Sequence, residues 1–205
     1  MALTDAGKKV LYLDVDVHHG DGVQKAFYGR NDVMTISLHQ DGRTLFPGTG
    51  FVNEIGDGKG KGCSVNVPLP PGTYDQTYMK VIREVVLPLI TAYGPDCIAI
   101  EIGADGLAGD PLANLKLTNN VYADIIGELL KFDRPILATG GGGYDLENTV
   151  RAWSLAWAAF CERSDQSELR DERLTIDQRN AKIIDSAVDN VIGAVKGNIF
   201  SYHGL

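Results

Sequence analysis

The chain predicts an α/β fold on a mainly parallel sheet, from two observations. Short, almost wholly apolar runs recur between stretches of helical periodicity, and polar residues collect where those runs end. Strands buried on both faces beneath crossover helices read as continuous apolar segments. Open parallel sheets bind ligands beyond the carboxyl ends of their strands. Residues 9–17 make the first strand, 22–28 a short helix, and 33–38 (Val-Met-Thr-Ile-Ser-Leu) the second strand. A long loop over 39–62 holds Phe46-Pro47-Gly48-Thr49-Gly50, then a Gly-rich turn at 56–62. Loops of this length in compact domains are commonly functional. Residues 64–69 form a short strand. Over 74–93, Tyr78, Val81, Ile82, Val85, Val86 and Leu89 recur at helical spacing. Residues 97–102 are an apolar strand broken only by Glu101, and 118–132 a helix capped by Thr118. A strand at 135–138 runs into Gly140–Gly143 and Tyr144, and a helix follows over 146–160. Residues 1–162 constitute the main α/β domain. Residues 163–205 hold a charged linker reaching Arg173, then an amphipathic helix marked by Ile176, Ile183, Ile184, Val188, Val191, Ile192 and Val195. Its apolar stripe is expected to dock on the chain's own domain.

With 44% hydrophobic residues, the 205-residue chain can build a substantial core. A formal charge of −8 argues against direct nucleic-acid binding, which calls for a basic face. The cysteines at 63, 97 and 161 form no C-x-x-C pair and no disulfide framework. No signal-peptide core is expected at the start, and no apolar run approaches the roughly 18 residues of a membrane span. A soluble protein of the reducing cytoplasm is the expectation.

The segment Leu13-Asp14-Val15-Asp16-Val17-His18-His19-Gly20-Asp21-Gly22 carries the densest chemistry. On a strand, Asp14, Asp16 and His18 would project to one side. Two carboxylates in an apolar setting need a compensating cation, and a metal ion is the simplest one. The plainer reading is a polar strand end wetted by solvent. Asp105 ends another apolar strand at Gly103-Ala104-Asp105; alone it would be a turn residue, but beside Asp16 and His18 it is a candidate third ligand. Two carboxylates and one imidazole fit zinc or ferrous iron, with coordination positions left open. Gly140–Gly143 lacks a P-loop ending and dinucleotide spacing, but it lets backbone approach a bound group closely. Tyr144 could aim its hydroxyl at a developing oxyanion or be an ordinary tyrosine after a turn. Phe46 could line a channel or merely pack its loop. His39 and His203 read as structural or exposed, and Cys97 as core.

Four segments taken together resemble the zinc-dependent histone deacetylase superfamily: Leu-Asp-Val-Asp-Val-His-His-Gly-Asp-Gly, Phe-Pro-Gly-Thr-Gly, Gly-Ala-Asp-Gly-Leu-Ala-Gly-Asp-Pro and Gly-Gly-Gly-Gly-Tyr. The phrase Arg43-Thr-Leu-Phe-Pro-Gly-Thr-Gly-Phe is most similar to the acetoin-utilization-type microbial branch. The resemblance runs from about residue 9 to 160 and implies an arginase/deacetylase-like sandwich that acts on acetylated lysine in proteins or on an acetylated small amine. It implies Asp16, His18 and Asp105 as ligands of Zn2+, with Fe2+ an alternative, and Tyr144 as the group that polarises the acetyl carbonyl. It implies Phe46, Leu112, Gly142 and Gly143 along the substrate channel. A structural K+ would be held by Asp14, Ser37 and the carbonyls of Asp16, His18 and Leu38. Asp14 and Asp21 match carboxylates that orient two catalytic histidines. That tandem pair, upstream in the family, has no counterpart here, so the chain resembles the C-terminal part of a deacetylase, incomplete at its N-terminal side. A partner chain or oligomer would then cover the gap. Gly62-Cys63 also departs from relatives that carry aromatics there, which affects a second monovalent-ion site. Two rival functions are a haloacid-dehalogenase-like magnesium phosphohydrolase, suggested by Asp-x-Asp after a strand, and a non-catalytic module stabilised by its metal.

Overall fold

A computed structural model describes residues 2–163 and 166–205. Five strands, β1 (Val10–Asp14), β2 (Val33–Gln40), β3 (Ser64–Leu69), β4 (Cys97–Glu101) and β5 (Ile136–Thr139), form one sheet in the order β3-β2-β1-β4-β5. Every pairing is parallel. The helices are α1 (Ala2–Asp5), α2 (Asp21–Phe27), α3 (Asp75–Val81), α4 (Leu87–Tyr93), α5 (Asn120–Leu130), α6 (Leu146–Phe160) and α7 (Gln178–Ile199). None among the described residues is long and apolar enough to cross a membrane.

The two faces of the sheet differ. Leu11, Leu13, Met34, Ile36, Ile98 and Ile100 enter one large core with residues of α3 to α7. Their neighbours Val10, Val33 and Cys97 join a small cluster under Phe27 of α2, with Tyr12 and Ala99 only half-buried. The expected cover on both faces is thus present but uneven: one face is thickly packed and the other thinly.

Several boundaries move for identifiable reasons. β1 ends at Asp14, not at residue 17, because the Asp14 carboxylate accepts the Asp16 N–H at 3.1 Å and bends the chain out of the ladder. The helix expected over 74–93 runs through a π-helical turn, Ile82–Val86, immediately before Pro88. Proline lacks the N–H that would close the preceding α turn, and the wider turn accommodates it. Gly94, at φ 60°, ends α4 by donating to the Ile90 carbonyl. Thr118 does not cap α5, which starts after Asn119; its hydroxyl instead donates to Asp75. The span of α6 matches expectation, and Asp145 caps it by accepting the Asn148 N–H at 3.0 Å.

The charged segment after α6 is not simply solvated. Asp171 accepts the Asn119 N–H and pairs with Arg151 at 3.0 Å. Ser164 and Asp165, within that predicted linker, lie outside the described residues. The last helix docks on its own domain: Val188, Ile192, Val195 and Ile199 are buried against the main core, whereas Ile183, placed on the same stripe from sequence, is exposed.

Candidate metal centre

β1 delivers Asp14 in register with Ser37 of β2 and Glu101 of β4. The chain then bends, and backbone donors fix the carboxylates that follow. The His18 N–H donates to Asp16 Oδ1 at 2.8 Å, the Gly142 N–H to Asp16 Oδ2 at 2.8 Å, and the Val17 N–H to Asp105 Oδ1 at 2.9 Å. His18 Nδ1 lies 3.0 Å from both Asp16 Oδ1 and Asp105 Oδ2. One ligand atom from each of Asp16, His18 and Asp105 falls within 4.8 Å of the others. Asp105 is wholly buried and the other two half-buried, so the group opens on one side only. Asp16 and His18 sit on a bent segment beyond the strand, so loop hydrogen bonds, not strand alternation, bring them to Asp105.

The electrostatics call for a cation. Hydrogen bonds to Asp105 and Asp16 raise the His18 pKa to about 10, outweighing its partial burial. Burial works against the charge of Asp16, but its bonds to His18 and to the backbone win and lower its pKa. Burial prevails at Asp105, whose pKa is raised. Behind them, burial and the Asp16 charge raise Asp14, while burial followed by the Asp14 and Asp16 charges raises Glu101. Four carboxyl groups thus meet one imidazole in a low-dielectric pocket. The donor set and its excess of negative charge fit a divalent metal ion.

The glycines explain how so many carboxylates fit. A Cβ on Gly142 would lie 2.0 Å from Asp105 Oδ2, one on Gly103 2.1 Å from Asp16 Oδ2, and one on Gly141 1.5 Å from Glu101 Oε1. The Gly140–Gly143 run thus brings backbone up against the carboxylates of Asp16, Glu101 and Asp105.

The histone deacetylase domain family matches residues 1–160. The chain belongs to that family. It is 34% identical over 211 residues to histone deacetylase 8 of Xenopus laevis, covering 97% of this chain and 65% of the relative. It is 44% identical over 147 residues to histone deacetylase 9 of Arabidopsis thaliana, covering 72% of this chain and 34% of that protein. The solved structure of the HDA15 HD domain superposes with a TM-score of 0.79 at 30% identity, over 97% of this chain and 53% of that one. The deacetylase-family chain thus spans about a third to two thirds of the length of these relatives.

Around the metal group, this deacetylase-family fold arranges the remaining expected residues unevenly. Tyr144 follows the glycine run; its N–H donates to Asp110 Oδ2 at 2.8 Å and its ring is half-exposed. Partial burial and the charges of Asp105, Asp16 and Asp110 raise the pKa of its phenol. Phe46 and Leu112 stand exposed on loops leaving the carboxyl ends of β2 and β4. Gly20 packs against Asp14 Oδ2, with its N–H 3.4 Å from Ser37 Oγ, so Asp14 and Ser37 adjoin behind the metal group; Leu38 is the next residue of β2. Asp21 is exposed at the start of α2, and its carboxylate makes no hydrogen bond among the described residues.

Sequence reasoning passed over Glu101, Asp110 and the pairing of His19 with His39. Glu101 was read only as an interruption of an apolar strand. Asp110 holds the Tyr144 backbone. Beneath the 41–57 loop, the rings of His19 and His39 lie 4.8 Å apart; His19 bonds Thr49 and Gln24, and His39 bonds Ser37 and the Gly50 carbonyl. The adjacency of His18 and His19 was a signal for the last of these, because side chains of neighbouring residues must point apart. His39 is structural as expected. His203 meets the Gly62 carbonyl at 2.8 Å, at the amino end of β3 and opposite the metal group.

Proposed function

We propose that this chain carries the metal site of a zinc-dependent hydrolase of acetylated lysine. The observation carrying the proposal is the buried convergence of Asp16, His18 and Asp105, in a chain of the histone deacetylase family. These three residues would hold zinc; ferrous iron suits the same donors. Such an ion supplies Lewis acidity towards a carbonyl oxygen and towards water. Tyr144 donates its phenolic hydrogen to the carbonyl oxygen as negative charge develops there. The Gly142 N–H is already taken by Asp16, so Gly142 and Gly143 contribute closeness to the substrate rather than a donor. Phe46 and Leu112 flank the methylenes of the lysine side chain; an acetylated small amine would use the same walls. Asp14 and Ser37, with the carbonyls of Asp16, His18 and Leu38, would hold K+, whose charge would offset the carboxylates there.

No histidine of the chain is placed to serve as general base. His18 is a ligand, His19 and His39 use both ring nitrogens in structural bonds, and His203 lies at the opposite end of the sheet. The base would therefore come from a further segment or a partner chain, which Asp14 and Asp21 would help orient. Its absence lowers turnover by about 10² to 10⁴. The free cysteines 63, 97 and 161 suit a reducing compartment such as the cytoplasm.

Zinc analysis and an acetyl-lysine peptide assay on the purified chain test the reading. One zinc per chain, lost in Asp105→Asn, and weak chelator-sensitive hydrolysis are expected. Hydrolysis that survives chelation, or zinc content unchanged by Asp105→Asn, would refute it. The lack of a free imidazole also favours a second reading, a binding module with a structural metal; stoichiometric zinc with no hydrolysis even in the longer protein selects it. Burial of Asp14 under Gly20 leaves it no path to attack a phosphate, against the phosphohydrolase alternative.

A further inference from the structure

Outside the metal group, none of whose residues lines it, one surface concavity gathers positive charge. A cleft of about 880 Å³ opens beside α5, between the α3 side of the helical layer and the segment that follows α6. Arg83, Lys131, Arg163, Arg170 and Arg173 line it, in a chain whose formal charge is −8. Most of the acidic groups beside them are engaged. Asp124 holds Arg170 at 3.2 Å, Glu128 holds Lys131 at 2.7 Å, and Asp75 accepts both the N–H and the hydroxyl of Thr118. Glu162 is left beside Arg83, Arg163 and Arg173, whose guanidinium groups make no hydrogen bond or ion pair among the described residues. A lone arginine on a helix face is normally just solvated. Three unpaired guanidiniums on the walls of one concavity are a different situation, because each presents a planar fork matched to phosphate oxygens.

We propose that this cleft binds a small soluble anion carrying two or more phosphate groups. The three free guanidiniums come from both walls: Arg83 from the π turn, Arg163 and Arg173 from the connection between α6 and α7. An anion with a single phosphate engages one wall, whereas one with two bridges the walls. The volume lies within the usual range for small-molecule sites, about 300 to 1,000 Å³. The floor is open as well: a Cβ built on Gly127 of α5 meets nothing within 4 Å.

Inorganic pyrophosphate is the probe, titrated calorimetrically into metal-free protein at constant ionic strength so that chelation cannot imitate binding. Saturable one-to-one binding, about tenfold or more tighter than inorganic phosphate, is expected. Gly127→Glu projects a carboxylate into the cleft and should weaken binding about tenfold or more while keeping the helix, since glycine is the poorer helix former. Arg83→Ala should weaken it comparably, and circular dichroism of both variants should match the parent. Heats that do not saturate, equal heats from sulfate, or undiminished affinity in a folded Gly127→Glu protein would overturn the proposal. Because no step uses the metal group, the result is independent of the zinc reading.

Discussion

The two edge strands of the sheet are both short and parallel-paired, and opposite in circumstance. β3, Ser-Val-Asn-Val-Pro-Leu, has all six residues buried, whereas β5, Ile-Leu-Ala-Thr, has one half-buried and three exposed. The change is gradual across the thin face. Thr35, Tyr12, Ala99 and Leu137 stand side by side in register, and exposure rises from 6% at Thr35, through half-buried Tyr12 and Ala99, to 57% at Leu137. β3 is covered on both faces: α7 packs on the core side, and on the thin side Ser64 and Asn66 donate to Gln24 of α2 while Asn66 also donates to the Glu54 carbonyl. Leu137 on β5 is exposed, and so are Leu146, Val150 and Trp157 on one face of α6. An apolar strand with a free edge and an apolar surround is a surface suited to cover by protein. Strand sequence reports suitability for burial; which element supplies the burial is settled elsewhere.

Matched truncations give the strongest contrast. Ile192→Ala, in the stripe of α7 that seals the closed side, should cost about 2 to 5 kcal/mol. Leu137→Ala at the open edge should stay within about 0.5 kcal/mol, as surface substitutions do. Urea denaturation of both variants measures the difference. Similar costs would mean that the open edge is covered in solution, and the comparison would fail.

The same contrast marks the limits of sequence reading. The strands and α6 were legible because apolar runs and helical periodicity are local properties. Asp16, His18 and Asp105 were legible because carboxylates and an imidazole at the ends of apolar segments are hard to explain otherwise. The end of β1 was not, because it depends on the Asp14 carboxylate capturing the Asp16 N–H, a choice that Val15 and Val17 conceal by continuing the apolar pattern. Glu101 escaped because its role exists only across the sheet, where register puts it beside Asp14. The uneven cover of the two faces escaped for the same reason: period and composition do not say where a helix lands.

Acid should discriminate between the two sides as well. His39, on β2 near the closed edge, is pushed down to about 4, chiefly by burial and then by the neighbouring His19, with Gly50, Glu54 and Asp41 opposing weakly. A base with a depressed folded pKa takes up its proton more readily when unfolded. Its stability contribution is therefore intact above the ordinary value of 6.5 and lost as pH falls towards 4. The loss is on the order of 3 kcal/mol. Urea midpoints between pH 7 and 4.5 should fall more steeply for the parent than for His39→Gln. Parallel slopes would show that protonation of His39 does not weaken the closed side.

The smallest effect on stability should accompany the clearest effect on association. Leu137→Lys and Trp157→Lys place charge on the open edge without touching the buried core, so their unfolding midpoints should stay near the parent's. A free parallel edge flanked by exposed apolar side chains offers unpaired backbone groups to any second strand, including that of another copy, and lysine there is a standard obstacle to such pairing. Light scattering of the parent against concentration should therefore show self-association that the double variant lacks. If the two behave identically, the exposed apolar surface beside β5 is inert, and its exposure is an ordinary property of this edge. If the double variant alone stays monomeric, the edge is an interface awaiting cover by protein.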